Sequence, residues 1–334
     1  MIDLHLHLDG SLTPDDIIEL AQIQKVTLPT TDKVELRKLL SFSGDERTLK
    51  KYLTYFDLPL SVLQTKETVE RSVEMLVSRL AKKGMAYAEI RFAPLLHTRN
   101  GLTVDEVVES AISGLKKGLE NTKFIAQLIL CCMRKVGTLV QNEKTVLAAS
   151  KYLGKGVCAL DLAGDEEDFT YDKYDSLFEK AKALSLPITI HAGERGGPEC
   201  VESALKLGAT RIGHGVRIIR DPKLVEYVKE HRIGVEMCPI SNYQTGAIEN
   251  VKDYPIREYL SKGILATVNT DSTVVSNTSI EKEFDFLKEN LGFTLEEKVK
   301  ALMNAVNIAF LPDCYKDIVR NRILTSLAKQ SEGK

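Results

Sequence analysis

The segment Met1-Ile-Asp-Leu-His-Leu-His-Leu-Asp-Gly10 carries the strongest local signal for the fold of this chain. Leucines at positions 4, 6 and 8 alternate with His5 and His7, and this period of two predicts a strand with one apolar face. Side chains two apart on a strand point the same way, so the two histidines share the other face. Paired imidazoles suit a divalent metal, although a half-buried strand with two polar residues facing water is the commoner explanation of an isolated His-x-His.

Length and composition narrow the class of protein. At 334 residues the chain suits two domains or one large α/β barrel. Its net charge of −2, without a basic run that contains aromatics, argues against a nucleic acid or an anionic membrane as partner. We expect no secretory leader, and the longest apolar stretch, 124–133, is too short to span a bilayer. Six cysteines without a C-x-x-C pair predict reduced thiols and a cytoplasmic location.

Strand-like and helix-like segments alternate along the chain. After the first strand, we predict strands at 85–92, 124–131, 156–161, 187–191, 210–214, 233–237 and 265–269. The helix-like segments between them indicate parallel strands joined by right-handed crossovers. Eight such units close into a (β/α)8 TIM barrel, so we predict an α/β fold with one domain over 1–334. The residues from about 280 onward predict extra C-terminal helices.

A long, mainly helical insertion over 11–83 follows the first strand. Thr13-Pro-Asp-Asp16 predicts a helix start, with a capping threonine and proline in the first turn. Leu49, Tyr52 and Phe56 lie at helical spacing and form an apolar stripe. This stripe belongs either to the core or to a lid over a pocket, and the length of the insertion keeps the lid hypothesis open.

Polar residues concentrate at the carboxyl ends of the predicted strands, where the active sites of such barrels lie. Four of the six histidines stand there, namely His5, His7, His191 and His214, and Asp271 follows the eighth strand. Three of these imidazoles and the carboxylate form a typical zinc site that leaves room for a water, whose pKa the metal would lower. The predicted ligands are His5, His7, His191 and Asp271.

One Zn²⁺ per chain fits this set better than a two-metal centre does. A bridged pair of metals would need an anionic bridging ligand, such as a modified lysine, near the end of the fourth strand. That strand ends in Asp161-Leu-Ala-Gly, and the nearest lysine, Lys155, precedes the strand. We therefore predict a single zinc ion as the cofactor.

Five motifs resemble the adenosine deaminase family of metal-dependent hydrolases. They occur in the family's order and at similar spacing, and the resemblance runs from residue 2 to beyond residue 310. The joint pattern is highly specific, although His-x-His alone is not. The motifs are His5-x-His7-Leu-Asp-Gly, Asp161-Leu-Ala-Gly-Asp-Glu, His191-Ala-Gly-Glu, Gly213-His-Gly-Val and Asn269-Thr-Asp.

The resemblance implies a hydrolase that acts on the C–N bond of a cyclic amidine. It would convert adenosine and 2′-deoxyadenosine to inosine and 2′-deoxyinosine, with release of ammonia, in purine salvage. Zinc on the four ligands would present hydroxide to C6 of the purine, and Asp271 would accept a hydrogen bond from it. Glu194 would protonate N1 as a general acid, which needs a carboxyl group whose pKa is raised by desolvation. His214 would orient or deprotonate the water.

The same resemblance implies contacts with a purine nucleoside. The backbone amide of Gly164 would meet purine N3, where a side chain would block close approach. Asp9 would bond the ribose 5′-hydroxyl, and adenine-specific relatives tend to carry Glu at this place, so Asp9 favours the nucleoside over the free base. The apolar stripe of Leu49, Tyr52 and Phe56 matches the family's lid over the ribose.

Ser272 departs from the family's pattern. Many members carry a second aspartate directly after the metal-binding one, and that carboxylate contacts purine N7. A serine hydroxyl can still donate to N7, but it is shorter and uncharged. Metal binding and chemistry should be retained, while substrate affinity and the range of accepted purines are open.

Several alternatives to an adenosine deaminase stay open. A related deaminase could act on adenine, on a 5′-modified adenosine or on a nucleotide. A metal hydrolase of another reaction class and a barrel that binds adenosine without turning it over are the other two. The last is disfavoured because all the hydrolytic groups are present. The sequence does not distinguish a monomer from a weak dimer.

Overall fold

The structure is a computed structural model that describes residues 1–134, 139–166 and 171–332. Eight parallel strands run through these residues, and β1 to β4 are hydrogen-bonded in order, as are β5 to β8. Each strand overlaps a predicted one, and the ends differ by a few residues. The strands are β1 (Ile2–His7), β2 (Tyr87–Phe92), β3 (Ile125–Met133), β4 (Val157–Ala163), β5 (Thr189–Ala192), β6 (Arg211–His214), β7 (Gly234–Met237) and β8 (Leu265–Val268).

Two short bridges close the two four-stranded sheets into one barrel. Leu160 of β4 pairs with Ile188, next to β5. At the other seam, Leu6 of β1 pairs with Asp271, three residues after β8. The Asp271 backbone donates to β1 at 2.8 Å and accepts from it at 2.6 Å. The predicted (β/α)8 barrel is thereby confirmed.

Helices separate the strands throughout the described residues. Five lie between β1 and β2, two between β7 and β8, three after β8, and one in each remaining connection. They are α1 (Pro14–Gln24), α2 (Lys33–Leu40), α3 (Leu49–Leu53), α4 (Asp57–Ser61), α5 (Lys66–Lys82), α6 (Val104–Leu119), α7 (Leu139–Tyr152), α8 (Asp175–Ala183), α9 (Pro198–Lys206), α10 (Pro222–Glu230), α11 (Pro239–Gln244), α12 (Ile256–Lys262), α13 (Ile280–Leu291), α14 (Leu295–Ile308) and α15 (Asp313–Glu332).

Helix α5 belongs to the outer wall of the barrel. Thr65 caps it by accepting a hydrogen bond from the Thr68 N–H, and an apolar stripe that includes Val73 and Leu80 is buried. It packs closely on α6, where a Cβ at Gly114 would lie 2.0 Å from the Glu70 carbonyl oxygen. Only the shorter segment from α3 to α4 lies over the barrel mouth, so the lid hypothesis applies to these two helices rather than to all of 11–83.

Below its mouth, the interior of the barrel contains buried charged side chains that form ion pairs. Strand β2 alternates, and its inward positions carry Tyr87, Glu89 and Arg91, each fully buried. Arg211 of β6 donates to Glu89 at 2.5 Å and to Glu236 of β7 at 2.6 Å. Buried charges are tolerated where each has such a partner. These ion pairs form the platform beneath the histidines of the mouth.

Among the residues that the structure describes, every helix is either too short or too polar to traverse a lipid bilayer.

Candidate metal centre and active site

The four predicted metal ligands meet at the mouth of the barrel. His5 and His7 come from β1, His191 from β5, and Asp271 from the seam after β8. One ring nitrogen of each histidine lies within 4.8 Å of the others. Asp271 Oδ1 lies 3.7 Å from His5 Nε2 and 3.5 Å from His7 Nε2. The prediction that these side chains converge from distant strands agrees with this geometry.

Buried carboxylates orient two of the histidine rings. His5 Nδ1 lies 2.9 Å from Glu236 Oε2, and His191 Nδ1 lies 3.0 Å from Asp161 Oδ2. An ionised carboxylate only accepts hydrogen bonds, so each Nδ1 carries the hydrogen and each Nε2 keeps its lone pair. That lone pair is the one that a metal ion requires.

Arg91 connects the two carboxylates. Its guanidinium donates to Asp161 Oδ2 at 3.1 Å and to Glu236 Oε2 at 2.7 Å. Burial opposes ionisation, but Arg211 and Arg91 together hold the pKa of Glu236 at about 2. Burial opposes the ionisation of Asp161 too, but the neighbouring His191 ring and the Arg91 guanidinium hold its pKa below the ordinary value. Both carboxylates therefore stay ionised behind the histidines.

The donor set suits a divalent metal ion. His5 Nε2 is buried and has no hydrogen-bond partner among the described residues. Burial lowers the pKa of His5 and of His7 well below the ordinary value, so both rings are neutral. Leaving a buried lone pair unpaired costs about 1–3 kcal/mol, which coordination of a cation would offset. Neutral imidazoles with one carboxylate are ligands that zinc prefers.

Asp271 is held in an unusual backbone conformation. Its φ is +60°, a left-handed value that is uncommon outside glycine and clusters at functional sites. Ser241 donates a hydrogen bond of 2.5 Å to Asp271 Oδ2, which leaves Oδ1 facing the histidines. Burial raises the pKa of Asp271.

Glu194 is a buried carboxyl group beside this cluster. Burial, together with the negative charge of Glu166, raises its pKa to about 7. Its Oε1 has no hydrogen-bond partner within the described chain, and its Oε2 lies 3.7 Å from His214 Nε2. A carboxyl group in this state can carry a proton near neutral pH and release it to a bound molecule.

Glu166 holds the loop that carries Glu194. Its Oε2 accepts three backbone N–H groups, from Glu194 at 3.1 Å, Arg195 at 3.0 Å and Gly196 at 2.8 Å. We did not predict this role, although Glu166 lies in one of the motifs quoted above. Glu166 is the last residue of the Asp161-Leu-Ala-Gly-Asp-Glu motif, two residues after Gly164, and that position was the available signal.

His214 completes the polar rim of the mouth. Like Asp271 it has a left-handed backbone, with φ of +64°. Burial lowers its pKa to about 4, which keeps the ring neutral. Its Nδ1 lies 2.9 Å from the amide nitrogen of Asn242, a residue in the segment after the seventh strand for which the sequence predicted no role.

A cavity of about 290 Å³ opens over this cluster, a size that suits a small molecule. All the predicted site residues line it except His5, which lies beneath the floor, and Ser272. The lining ones are His7, Asp9, Leu49, Tyr52, Phe56, Gly164, His191, Glu194, His214 and Asp271.

Ser272 lies beside the cavity. It is fully buried, and its Oγ has no hydrogen-bond partner among the described residues. A Cβ at Gly10 would lie 2.2 Å from this oxygen, so Ser272 sits directly behind the Asp9–Gly10 turn. The contact between Ser272 and a purine stays a prediction.

The other predicted substrate contacts lie on the cavity wall. Burial raises the pKa of Asp9 to about 6, and its Oδ1 has no hydrogen-bond partner within the described part of the chain. Gly164 has φ of +102°, so its backbone conformation itself favours glycine, in addition to any need for close approach. Tyr52 ties the lid helix α3 to the loop after β8, since its hydroxyl lies 2.7 Å from Ser276 Oγ.

The charged residues behind the ligands were missed by the sequence analysis. Glu89 and Arg91 stand at alternate positions of β2, and Glu236 stands within β7, each flanked by apolar residues. In a barrel whose strands are covered by helices, a charged residue in such a strand must face the interior. That pattern was available in the sequence and would have identified them.

Comparison with known proteins identifies the family. The adenosine deaminase family model matches residues 1–326. An adenosine deaminase of Haemophilus ducreyi is 44% identical over 315 residues, which cover 93% of this chain and 92% of that protein.

Solved structures share the fold over nearly the whole chain. An adenine deaminase from Arthrobacter aurescens has a TM-score of 0.87 at 26% identity and covers 98% of both chains. The N6-mAMP deaminase of Arabidopsis has a TM-score of 0.83 at 26% identity and covers 96% of both. With the matching family model and the 44% identical relative, these likenesses establish that the chain belongs to the adenosine deaminase family.

Proposed function

We propose that this protein hydrolyses adenosine and 2′-deoxyadenosine to inosine and 2′-deoxyinosine with release of ammonia. The observation that carries the proposal is Glu194, a buried carboxyl group of pKa about 7 that shares one cavity with a set of metal-binding side chains. The name of the 44% identical relative supports adenosine as the substrate.

The cofactor in this proposal is one Zn²⁺ held by His5, His7, His191 and Asp271. When bound, the metal supplies a water nucleophile of lowered pKa. The three-histidine group is the only cluster of its kind in the described residues, which supports one metal per chain. Glu236 and Asp161 accept hydrogen bonds from Nδ1 of His5 and His191, so Nε2 of each ring keeps a lone pair for a metal ion. Nitrogen ligands of this kind support zinc as the metal.

Glu194 is the general acid in this mechanism. Addition of water to C6 makes this carbon tetrahedral and interrupts the aromaticity of the purine. A proton delivered to N1 neutralises the negative charge that develops on that nitrogen. Glu194 holds that proton because burial disfavours its ionised form. After addition, the proton of the new C6 hydroxyl passes to the amino group, which leaves as ammonia as the C6 carbonyl forms. N1 keeps the proton from Glu194, and the proton that the water lost on attack replaces it on the Glu194 carboxylate.

Substrate selection rests on the wall of the cavity. Asp9 presents an unpaired Oδ1, which suits the 5′-hydroxyl of a ribose. The backbone N–H of Gly164 would meet purine N3, and Leu49, Tyr52 and Phe56 would cover the sugar. Ser272 would face N7 after a small shift toward the cavity.

A purine panel tests the substrate. Ammonia release is measured from adenosine, 2′-deoxyadenosine, adenine, methylthioadenosine and adenosine monophosphate, and we expect the two nucleosides to have the highest kcat/KM. Faster turnover of adenine or of a 5′-modified adenosine would replace adenosine with that substrate. Tight binding of adenosine without ammonia release from any compound would instead identify a non-catalytic barrel.

We further propose a cytoplasmic role in purine salvage. All six cysteines are free, and four of them are buried. Unpaired thiols in this number are typical of a reducing compartment.

A further inference from the structure

The ring of His214 differs from the other histidines of the site in what lies behind it. His5 and His191 have carboxylates at Nδ1, which only accept hydrogen bonds. His214 has the side-chain amide of Asn242 at Nδ1, 2.9 Å away. Which hydrogen the ring carries therefore depends on which atom of that amide faces it.

The surroundings of Asn242 determine its orientation. Its Oδ1 accepts the backbone N–H of Cys238 at 3.4 Å and the hydroxyl of Tyr254 at 3.0 Å. A backbone N–H can only donate, so the amide atom next to Cys238 must be the oxygen. The amide nitrogen, Nδ2, consequently points at His214 and donates to Nδ1.

We propose that Asn242 fixes the tautomer of His214, so that Nδ1 is the acceptor and Nε2 carries the hydrogen. The inference rests on the proposed function and extends it, because it assigns His214 one of two roles. A neutral ring with hydrogen on Nε2 has no lone pair on that atom with which to take a proton from water. His214 is then a hydrogen-bond donor that orients the nucleophile and cannot be its base.

The fold holds this arrangement rigidly. Asn242 lies on α11, four residues after Cys238, so its side chain folds back on the first turn of its own helix. Asn242, Tyr254 and His214 are all buried, and water does not compete for their hydrogen bonds. The donor atom Nε2 faces the cavity, 3.7 Å from Glu194 Oε2. Asn242 is thus a positioning residue that acts through His214.

Nuclear magnetic resonance of the zinc-loaded, full-length protein tests the tautomer directly. With ¹⁵N-labelled histidine, long-range ¹⁵N–¹H correlations distinguish a hydrogen on Nδ1 from one on Nε2. Only six histidines contribute, and His214→Gln identifies the signal. We expect His214 to carry its hydrogen on Nε2 and His5 and His191 to carry theirs on Nδ1. A wild-type His214 protonated at Nδ1 alone overturns the proposal, and this measurement needs no variant to fold.

Asn242→Asp reverses the interaction, because it replaces the amide donor with an acceptor of the same shape. At about pH 8, where a neutral ring is favoured, we expect the His214 hydrogen to move to Nδ1. A catalytic histidine in the wrong tautomer can lose about 10⁴-fold in kcat, so we expect a loss between about 10²- and 10⁴-fold with KM nearly unchanged. An unchanged His214 signal, or an unchanged kcat after the hydrogen has moved, overturns the proposal.

Asn304→Asp is the matched control. Asn304 is also buried and donates its side-chain amide to a backbone oxygen of Ala266, away from His214. We expect this variant to leave the His214 signal and kcat unaltered. If the wild-type protein shows the Nε2–H tautomer but releases ammonia from no purine, the tautomer assignment stands and the proposed function fails.

Discussion

The floor of the cavity consists of polar side chains held by buried partners, whereas its lid consists mainly of apolar side chains. His191 and Asp271 on the floor, and His5 beneath it, are each held by a buried partner through a hydrogen bond or ion pair. The lid, formed by α3 and α4, contributes mainly apolar side chains, and a hydrogen bond between the hydroxyls of Tyr52 and Ser276 ties it to the loop after β8. The difference indicates that the floor sets the chemistry, whereas the lid sets how tightly a substrate is held.

Glu194→Gln is the most severe test of the floor. The amide keeps the shape of the side chain but has no proton to give at N1, so we expect kcat to fall by about 10²- to 10⁴-fold while zinc content is unchanged. Turnover and metal analysis of the purified variant provide the measurement. Glu199→Gln, an exposed glutamate at the start of α9, is the control. Near-normal turnover of the Glu194 variant would remove the general acid from the mechanism.

The pH profile checks the same assignment in the unaltered protein. Glu194 is protonated below its pKa of about 7 and ionised above it. As a general acid it is active only when protonated, so kcat/KM should fall as the pH rises through about 7. In Glu194→Gln that falling limb should disappear. A profile that instead rises through this range would assign Glu194 the role of a base.

Asp161→Asn should have a smaller effect, on metal binding. The amide oxygen of the new side chain could still accept from His191 Nδ1, but the negative charge that makes the ring a better ligand is lost. Removal of such a partner typically weakens metal affinity by about 10- to 100-fold. Competition with a zinc chelator measures it, and Asp32→Asn on the exposed cap of α2 serves as the control. An unchanged zinc affinity would show that the negative charge of Asp161 does not strengthen His191 as a metal ligand.

Phe56→Ala should have the smallest effect, and it should fall on binding. Phe56 lines the cavity and packs edge-on near His7. Loss of an apolar wall of this size costs about 1–3 kcal/mol of binding, so we expect KM to rise about tenfold with kcat nearly unchanged. Val34→Ala, on the exposed part of α2, is the control for steady-state kinetics. A fall in kcat with constant KM would mean that the lid takes part in the chemistry.

The barrel and the convergence of the candidate metal ligands could be predicted because both depend on local sequence patterns. Strand-helix alternation identifies the barrel, and His5, His7, His191 and Asp271 mark strand ends, which meet at one face of such a fold. The ion pairs of Arg91 could not be placed in the same way, since pairing depends on which strands face each other across the interior. The role of Asn242 depends on the orientation of one amide group, which no spacing encodes.

The lid and Ser272 show that local backbone conformation is also hard to predict from the sequence. Helical spacing predicted the apolar stripe, but a short 3₁₀ turn at Thr54–Phe56 separates α3 from α4, and Phe56, which lines the cavity, lies in that turn. Ser272 follows the proposed ligand Asp271 directly in sequence, yet the left-handed backbone of Asp271 turns the chain so that the serine lies behind Gly10. Backbone reversals of this kind are decided by tertiary contacts.

The seam between Leu6 and Asp271 has a consequence for how the protein is made. It joins strand β1 to a residue that is synthesised only after all eight strands. At ordinary rates of translation, Asp271 is synthesised on the order of tens of seconds after His5 and His7. The proposed metal site is therefore completed only late in synthesis, and a metal ion that met the nascent chain earlier would find only the His5–His7 pair.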